Sequence, residues 1–256
     1  MVVSKNKSAN DKIYSAGELR KMTNKKKCQD ALARGHDDNP HRVARAIAWL
    51  EIAQHSNCDE IRFMLHWISF NALYGQGDKV HKSGGTDISM IENFLKAVVP
   101  HGEEHLWRVL EENANSAQKI LYLRQTYKRF WDAMYDERDR RCWEEEFKAE
   151  NDKAMKAYEK RNIAYEKRNI MEFLAILFRR LYVVRNQLMH GAASANINNH
   201  SRRNRTQVKN GIELLSKLVP TFVYIVAQAD DINLGQIPYP RVGKRPDEKC
   251  QPPKLY

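Results

Sequence analysis

MEFLAILFRRLYVVRNQLMH, residues 171–190, is the strongest helical signal in the chain. Leu174, Leu177, Leu181, Val184 and Leu188 recur at spacings of three and four, so a helix lines them along one face, and that face calls for burial. Gly191 and the polar run AASANINNHS stop the pattern. A buried stripe of this length needs partner helices, and the sequence supplies them on both sides. Downstream, Thr206 to Ala229 turns Ile212, Leu215, Leu218, Val219, Phe222 and Val226 inward, with Pro220 as a point of bending. Upstream, Asp38, Asn39 and Pro40 form a helix-start signal. Behind it, HRVARAIAWLEIAQHS aligns Val43, Ile47, Leu50 and, at its end, Gln54, with Trp49 widening the stripe. Cys58 to Tyr74, CDEIRFMLHWISFNALY, sets Ile61, Leu65, Ile68 and Ala72 at helical spacing with Phe63, Trp67 and Phe70 beside them, which predicts a central helix. Gly75, Gly77, Gly84 and Gly85 then mark a loop.

Between these pairs, helical patterns cover Asp87 to Val99 and Glu103 to Glu112, separated by Pro100 and Gly102. Residues 118–171 read as one long charged helix with aromatic anchors at Tyr122, Tyr127, Phe130, Trp131, Tyr135, Trp143 and Phe147. AYEKRNI occurs at 157–163 and again at 164–170, a seven-residue duplication suited to a protruding arm that leaves the core untouched. No stretch alternates with the period of two that a half-buried strand requires. The expected fold is therefore all-α: a four- or five-helix antiparallel bundle from residues 40–76 and 169–229, carrying a helical insertion at 77–168. A single domain of seven or eight helices is the alternative. Residues 1–38 read as a basic lead-in, with a short helix possible from Ala16 to Lys27, residues 39–229 as the helical domain, and residues 230–256 as a Pro-rich tail.

Composition bounds the function. At 42% hydrophobic and 29% charged, with 11 Gly and 8 Pro, the 256 residues describe a globular chain and exclude a collagenous or disordered one. Four cysteines, at 28, 58, 142 and 250, match neither a disulfide framework nor a close zinc-knuckle spacing, so a reducing, cytoplasmic setting is expected. The amino-terminal MVVSKNKSAND has no apolar run behind it, and no run of about 18 apolar residues occurs, so neither a signal peptide nor a membrane span is expected. The formal charge is +11. Residues 1–30 carry eight Lys/Arg against three Asp/Glu, and Ser201 to Lys209 carries Arg202, Arg203, Arg205 and Lys209 with no acid. Such patches attract phosphodiesters at long range, although charge alone names no substrate.

Polar groups interrupt the end of the 171–190 helix as Arg185-Asn186-Gln187-Leu188-Met189-His190-Gly191. Asn186 and His190, four apart, share a face. Arg185 lies about 140° round the helix from His190 and roughly 7.5 Å along it, so one copy of the helix does not aim both at one small group. Two copies facing each other would, which favours a dimer. An imidazole moves protons and a guanidinium clamps a phosphodiester in two-pronged fashion, the minimal kit for cleaving RNA through its own 2′-hydroxyl. The plainer reading is that His190 caps a helix C-terminus ahead of a glycine. Spacing alone is weak evidence, since Arg34 and His41 form a similar pair beside an apparent linker.

Arg185-Asn186-x-x-x-His190, followed by Gly191 and a polar loop, resembles the Arg-x4-6-His signature of the HEPN superfamily, and WISFNALYG, Trp67 to Gly75, is similar to the aromatic helix that packs on the motif helix in its defence-associated and toxin-like branches. Residues 40–76 and 169–229 carry the resemblance; the charged middle and both ends do not. It implies a HEPN-like antiparallel bundle and a metal-independent endoribonuclease acting as a homodimer, of toxin–antitoxin or antiphage-defence type, with an antitoxin or defence-system protein as a further partner. His190 would be the general acid or base, Arg185 would hold the scissile phosphate, Asn186 would orient the histidine or the phosphate, and the products would end in a 2′,3′-cyclic phosphate and a 5′-hydroxyl. Some members only bind RNA or nucleotides. Around this site, Arg179, Tyr182, Arg202, Arg203 and Arg205 are candidate substrate contacts, and Glu51 and Asn71 are polar positions on apolar helices that could support the motif. No cofactor or metal is expected: His101 and His105 are four apart but lack the glutamate and third ligand of a zinc site, and no phosphate-binding glycine loop occurs.

Overall fold

Every regular element among the described residues is helical, as the sequence periodicity requires. The computed structural model describes residues 14–22, 39–76, 86–135, 142–159, 169–191, 202–229 and 231–237, with the backbone alone at 22, 135 and 202–205. In chain order the helices are α1 (Ala16–Met22), α2 (Asn39–His55), α3 (Asp59–Tyr74), α4 (Asp87–Val98), α5 (Glu103–Glu112), α6 (Ala114–Tyr122), α7 (Lys128–Tyr135), α8 (Trp143–Glu159), α9 (Ile170–Met189) and α10 (Arg202–Gln228). Short 3-10 turns at Val99–His101 and Arg124–Thr126 join α4 to α5 and α6 to α7.

α2 and α3 form an antiparallel hairpin, tied by the Ser69 hydroxyl donating to the Ala46 carbonyl oxygen at 2.8 Å. α3, α9 and α10 meet at a ring of aromatic side chains. Phe70 lies 4.6 Å from Phe178, 5.7 Å from Phe222 and 5.5 Å from Phe94, centroid to centroid, within the range of favourable ring pairs. The stripe Leu174, Leu177, Leu181 and Val184 of α9 is buried as expected, with Leu188 half-buried, and all six inward positions expected on α10 are buried. At Pro220 the helix loses a backbone donor, and the Thr221 hydroxyl next to it donates to the Lys217 carbonyl oxygen at 2.8 Å.

α3 departs from expectation. Its core face is Phe63, Trp67, Phe70 and Tyr74, whereas Ile61 is 53% exposed and Leu65, Ile68 and Ala72 are only half-buried. At about 100° per residue the two sets lie on opposite sides of the helix. A helix apolar all round offers two stripes, and the larger aromatic one bonds to the core. On α2, Trp49 and Gln54 likewise remain at the surface, while Arg42 and Ala46 join Val43, Ile47 and Leu50 inside.

The stretch 77–168 is no peripheral insertion where it is described. Leu95, Leu106, Trp107, Leu110, Ile120 and Leu121 are fully buried in the same core as α3, α9 and α10. The long helix expected over 118–171 is instead α6, a 3-10 turn, α7 and α8. α8 packs on α9 by sharing a buried charge. Arg180, 1% exposed, donates to Asn151 Oδ1 at 2.9 Å, pairs with Glu150 at 2.9 Å, and stacks over Tyr127 and Phe147 at 4.2 and 4.8 Å. Burial pushes its pKa down to about 10, against the pull of Glu150, so it stays charged at neutral pH. Most of the second AYEKRNI copy lies outside the described residues, while Asn169 caps α9 by accepting from the Glu172 amide at 3.2 Å.

Both ends contribute to the core as well. Ala16 and Leu19 of α1 are buried, and Ile232, Leu234 and Ile237 pack beyond α10. Arg42, buried completely, gathers carbonyls from two places: Leu73 and Gly75 at the end of α3, and Leu234, Gly235 and Gln236 at 3.0–3.1 Å. The guanidinium caps the unpaired C-terminal carbonyls of α3, where a cation is also favoured by the helix dipole, and binds the 231–237 segment to them. Among the described residues, one helical stretch, Thr206–Gln228, is long and apolar enough to cross a membrane, but 72% of its apolar window is buried inside the protein, so core packing accounts for its composition.

Candidate functional site

α9 carries the motif, and its neighbours decide how each motif side chain is presented. Gly191 adopts φ +70°, a left-handed conformation that a side chain would strain, and it terminates the helix. His190 is the last position, its amide donating to the Asn186 carbonyl oxygen at 2.9 Å. Its imidazole is exposed and has no partner among the described residues. Five residues back, Arg185 is half-buried and its Nη1 donates to Asn186 Oδ1 at 2.9 Å.

Asn186 thus engages the arginine, not the histidine. One turn earlier, the Tyr182 hydroxyl donates to Asp87 Oδ2 at 3.3 Å. The Arg185 guanidinium lies over the Tyr182 ring at 5.7 Å, a cation–π distance. Tyr182 is backed by Trp67 at 6.1 Å, so the WISFNALY helix does pack on the motif helix. Tyr74, the last residue of that helix, is buried close enough to Asp87, Tyr182 and Arg185 to feel all three. Burial, reinforced by the Asp87 carboxylate, pushes the Tyr74 hydroxyl far above the ordinary phenol range, and the same two causes raise Tyr182, so both remain neutral donors at neutral pH. α3, α4 and α9 therefore converge on one polar cluster at the rim of an aromatic core.

Other expected contacts fall elsewhere. Arg179 bridges Glu92 at 3.3 Å and Glu150 at 3.6 Å, so its charge is spent between helices. Glu51 pairs with Arg20 of α1 at 2.7 Å, and Asn71 is exposed on α3. Arg202, Arg203 and Arg205 form the first turn of α10 instead of a loop. His101 faces Asp231 at 3.5 Å, and His105 meets the Tyr224 ring edge-on at 5.3 Å. Among the described residues, no three His, Cys, Asp or Glu side chains converge where they could hold a metal.

Sequence reading missed Tyr74, Asp87, Gln187 and Gln207. Gln187, adjacent to Asn186, donates to the Gln125 carbonyl oxygen at 2.6 Å and accepts from Gln207 Nε2 at 2.6 Å, pinning the end of the motif helix to the 3-10 turn and to α10. The only signal available for it was a polar residue within an apolar helix; Asp87 carried none, because it comes from a distant segment. Compared with family models, curated proteins and solved structures, the chain matches none of them.

Proposed function

We propose that this protein is a metal-independent endoribonuclease of HEPN type that works as a homodimer, pairing Arg185 and His190 from two motif helices. One observation carries the reading: the helix that holds a braced, half-buried arginine ends in an exposed histidine with no side-chain partner among the described residues. The guanidinium suits a scissile phosphodiester, whose charge rises on its non-bridging oxygens as the reaction proceeds. His190 of one copy takes the proton of the ribose 2′-hydroxyl, the 2′-oxygen bonds to phosphorus, and the bond from phosphorus to the 5′-oxygen breaks. His190 of the partner subunit protonates that leaving oxygen, so the products carry a 2′,3′-cyclic phosphate and a 5′-hydroxyl. Arg202, Arg203 and Arg205, which follow the motif in sequence, supply positive charge for the RNA backbone in this reading. A toxin or antiphage-defence role, with an antitoxin or defence-system protein as regulator, follows from the HEPN resemblance.

The test is incubation of the full chain, and of its His190→Ala form, with structured and single-stranded RNA in excess EDTA, reading product ends. Cyclic-phosphate ends from the wild type alone are expected, with the variant slowed at least about a hundredfold, the scale of a lost general acid–base. RNA left intact by a folded, dimeric wild type would move the assignment to a binding module of the same fold.

A further inference from the structure

Arg185 rests on a ring that is hydrogen-bonded to a different helix, outside the motif. Its Nη1 donates to Asn186 Oδ1, its guanidinium lies over the Tyr182 ring at 5.7 Å, and the Tyr182 hydroxyl donates to Asp87 Oδ2 at 3.3 Å. The phenol O–H needs an acceptor at the far end to hold the ring beneath the guanidinium, and Asp87 is one. Asp87 is itself placed with care. It is the first residue of α4, whose preceding Thr86 and following Ser89 form a reciprocal cap, each satisfying the other's backbone amide. Tyr74 closes the cluster from α3.

We infer that Asp87 is a positioning residue for Arg185, acting through Tyr182. The separation matters chemically. A carboxylate bonded directly to Arg185 would occupy the N–H pairs that a phosphate needs, whereas Asp87 bonds to the phenol and leaves the second terminal nitrogen of Arg185 without a protein partner among the described residues. Arg185 Nε is buried and likewise unpaired. The guanidinium is thereby held at one edge by Asn186 and over one face by the Tyr182 ring, with donors remaining for an anion. That the anion is an RNA phosphodiester rests on the proposed function; that Asp87 fixes the arginine does not.

The test reads the arginine itself. In full-length protein labelled with 15N-arginine, the Arg185 Nε–H signal is identified by its loss in Arg185→Lys, and its mobility is followed by heteronuclear relaxation. Wild type and Asp87→Asn, which keeps an acceptor oxygen, should show a rigid Nε–H. Tyr182→Phe, which keeps the ring, and Asp87→Ala should show it as mobile as an exposed arginine, with the backbone amide spectrum otherwise unchanged. An equally rigid signal in Tyr182→Phe and Asp87→Ala, or a mobile one already in wild type, overturns the inference. Affinity for an uncleavable 2′-O-methyl RNA, measured in parallel, should fall about tenfold in the two released variants, the equivalent of one charge-assisted hydrogen bond. Rigid Arg185 in a wild type that binds no RNA would refute the ribonuclease reading while leaving Asp87 as the residue that fixes the arginine.

Discussion

His66 illustrates how burial sets the chemistry of a single residue. It sits on α3 with 4% of its surface exposed, and its Nδ1 lies 2.8 Å from the Arg62 carbonyl oxygen, to which the neutral ring donates. Desolvation lowers its pKa from the usual 6.5 by more than that bond raises it, and the Arg62 charge lowers it further. A group depressed in the folded state contributes stability that is complete above its unfolded pKa and is lost as pH falls through the lower folded value. The wild type should accordingly lose more stability between pH 7 and pH 5 than His66→Gln does, by urea unfolding at each pH. Identical slopes for the two would mean that His66 charges freely in the folded protein. The same physics separates Arg42 from Arg180. The first is held by carbonyls at a helix end, the second at Nη2 by a carboxylate and an amide oxygen and over its face by two aromatic rings, and neither lies at the surface that charge alone suggests.

Among the elements, α3 is the one whose two faces compete. Phe63, Trp67, Phe70 and Tyr74 win the core, while Ile61 is 53% exposed and Leu65, Ile68 and Ala72 are only half-buried; on α2, Trp49 and Ile52 are also exposed. Phe70→Ala should cost about 3–5 kcal/mol, the usual penalty for a large aromatic removed from a packed core, and Ile61→Ala should stay within about 0.5 kcal/mol. Equal costs in denaturant titrations would show that the outer stripe is covered in solution. α9 contrasts with α3 because its first half is buried all round, from Phe173 to Phe178, so its two sides do not compete for the core.

Across the whole molecule, the middle of the chain is structural. α8 buries Ala154 and Ala157 and supplies Glu150 and Asn151 to Arg180. Deleting residues 143–159 would remove Glu150, Asn151 and Phe147 from Arg180 and uncover the core that Ala154 and Ala157 close. Such a deletion should unfold or strongly destabilise the bundle, seen as a lowered or absent thermal transition. A full-stability bundle that merely lost its oligomeric state would restore the view of an independent arm. By itself the sequence determined that the chain is helical, where α2, α3, α9 and α10 run, which face of α9 and α10 turns inward, and that α9 ends at His190 before a left-handed glycine. These features follow from local periodicity and from backbone sterics, which act over a few residues. Tertiary structure alone decided which stripe of α3 is buried, that residues 87–122 complete the core, and that Tyr182, beneath the Arg185 guanidinium, bonds to Asp87. Those outcomes depend on pairings such as Tyr182 with Asp87, 95 positions apart. Residues that far apart share no periodicity, and only the packing of α4 against α9 brings their charges and hydroxyls within bonding distance.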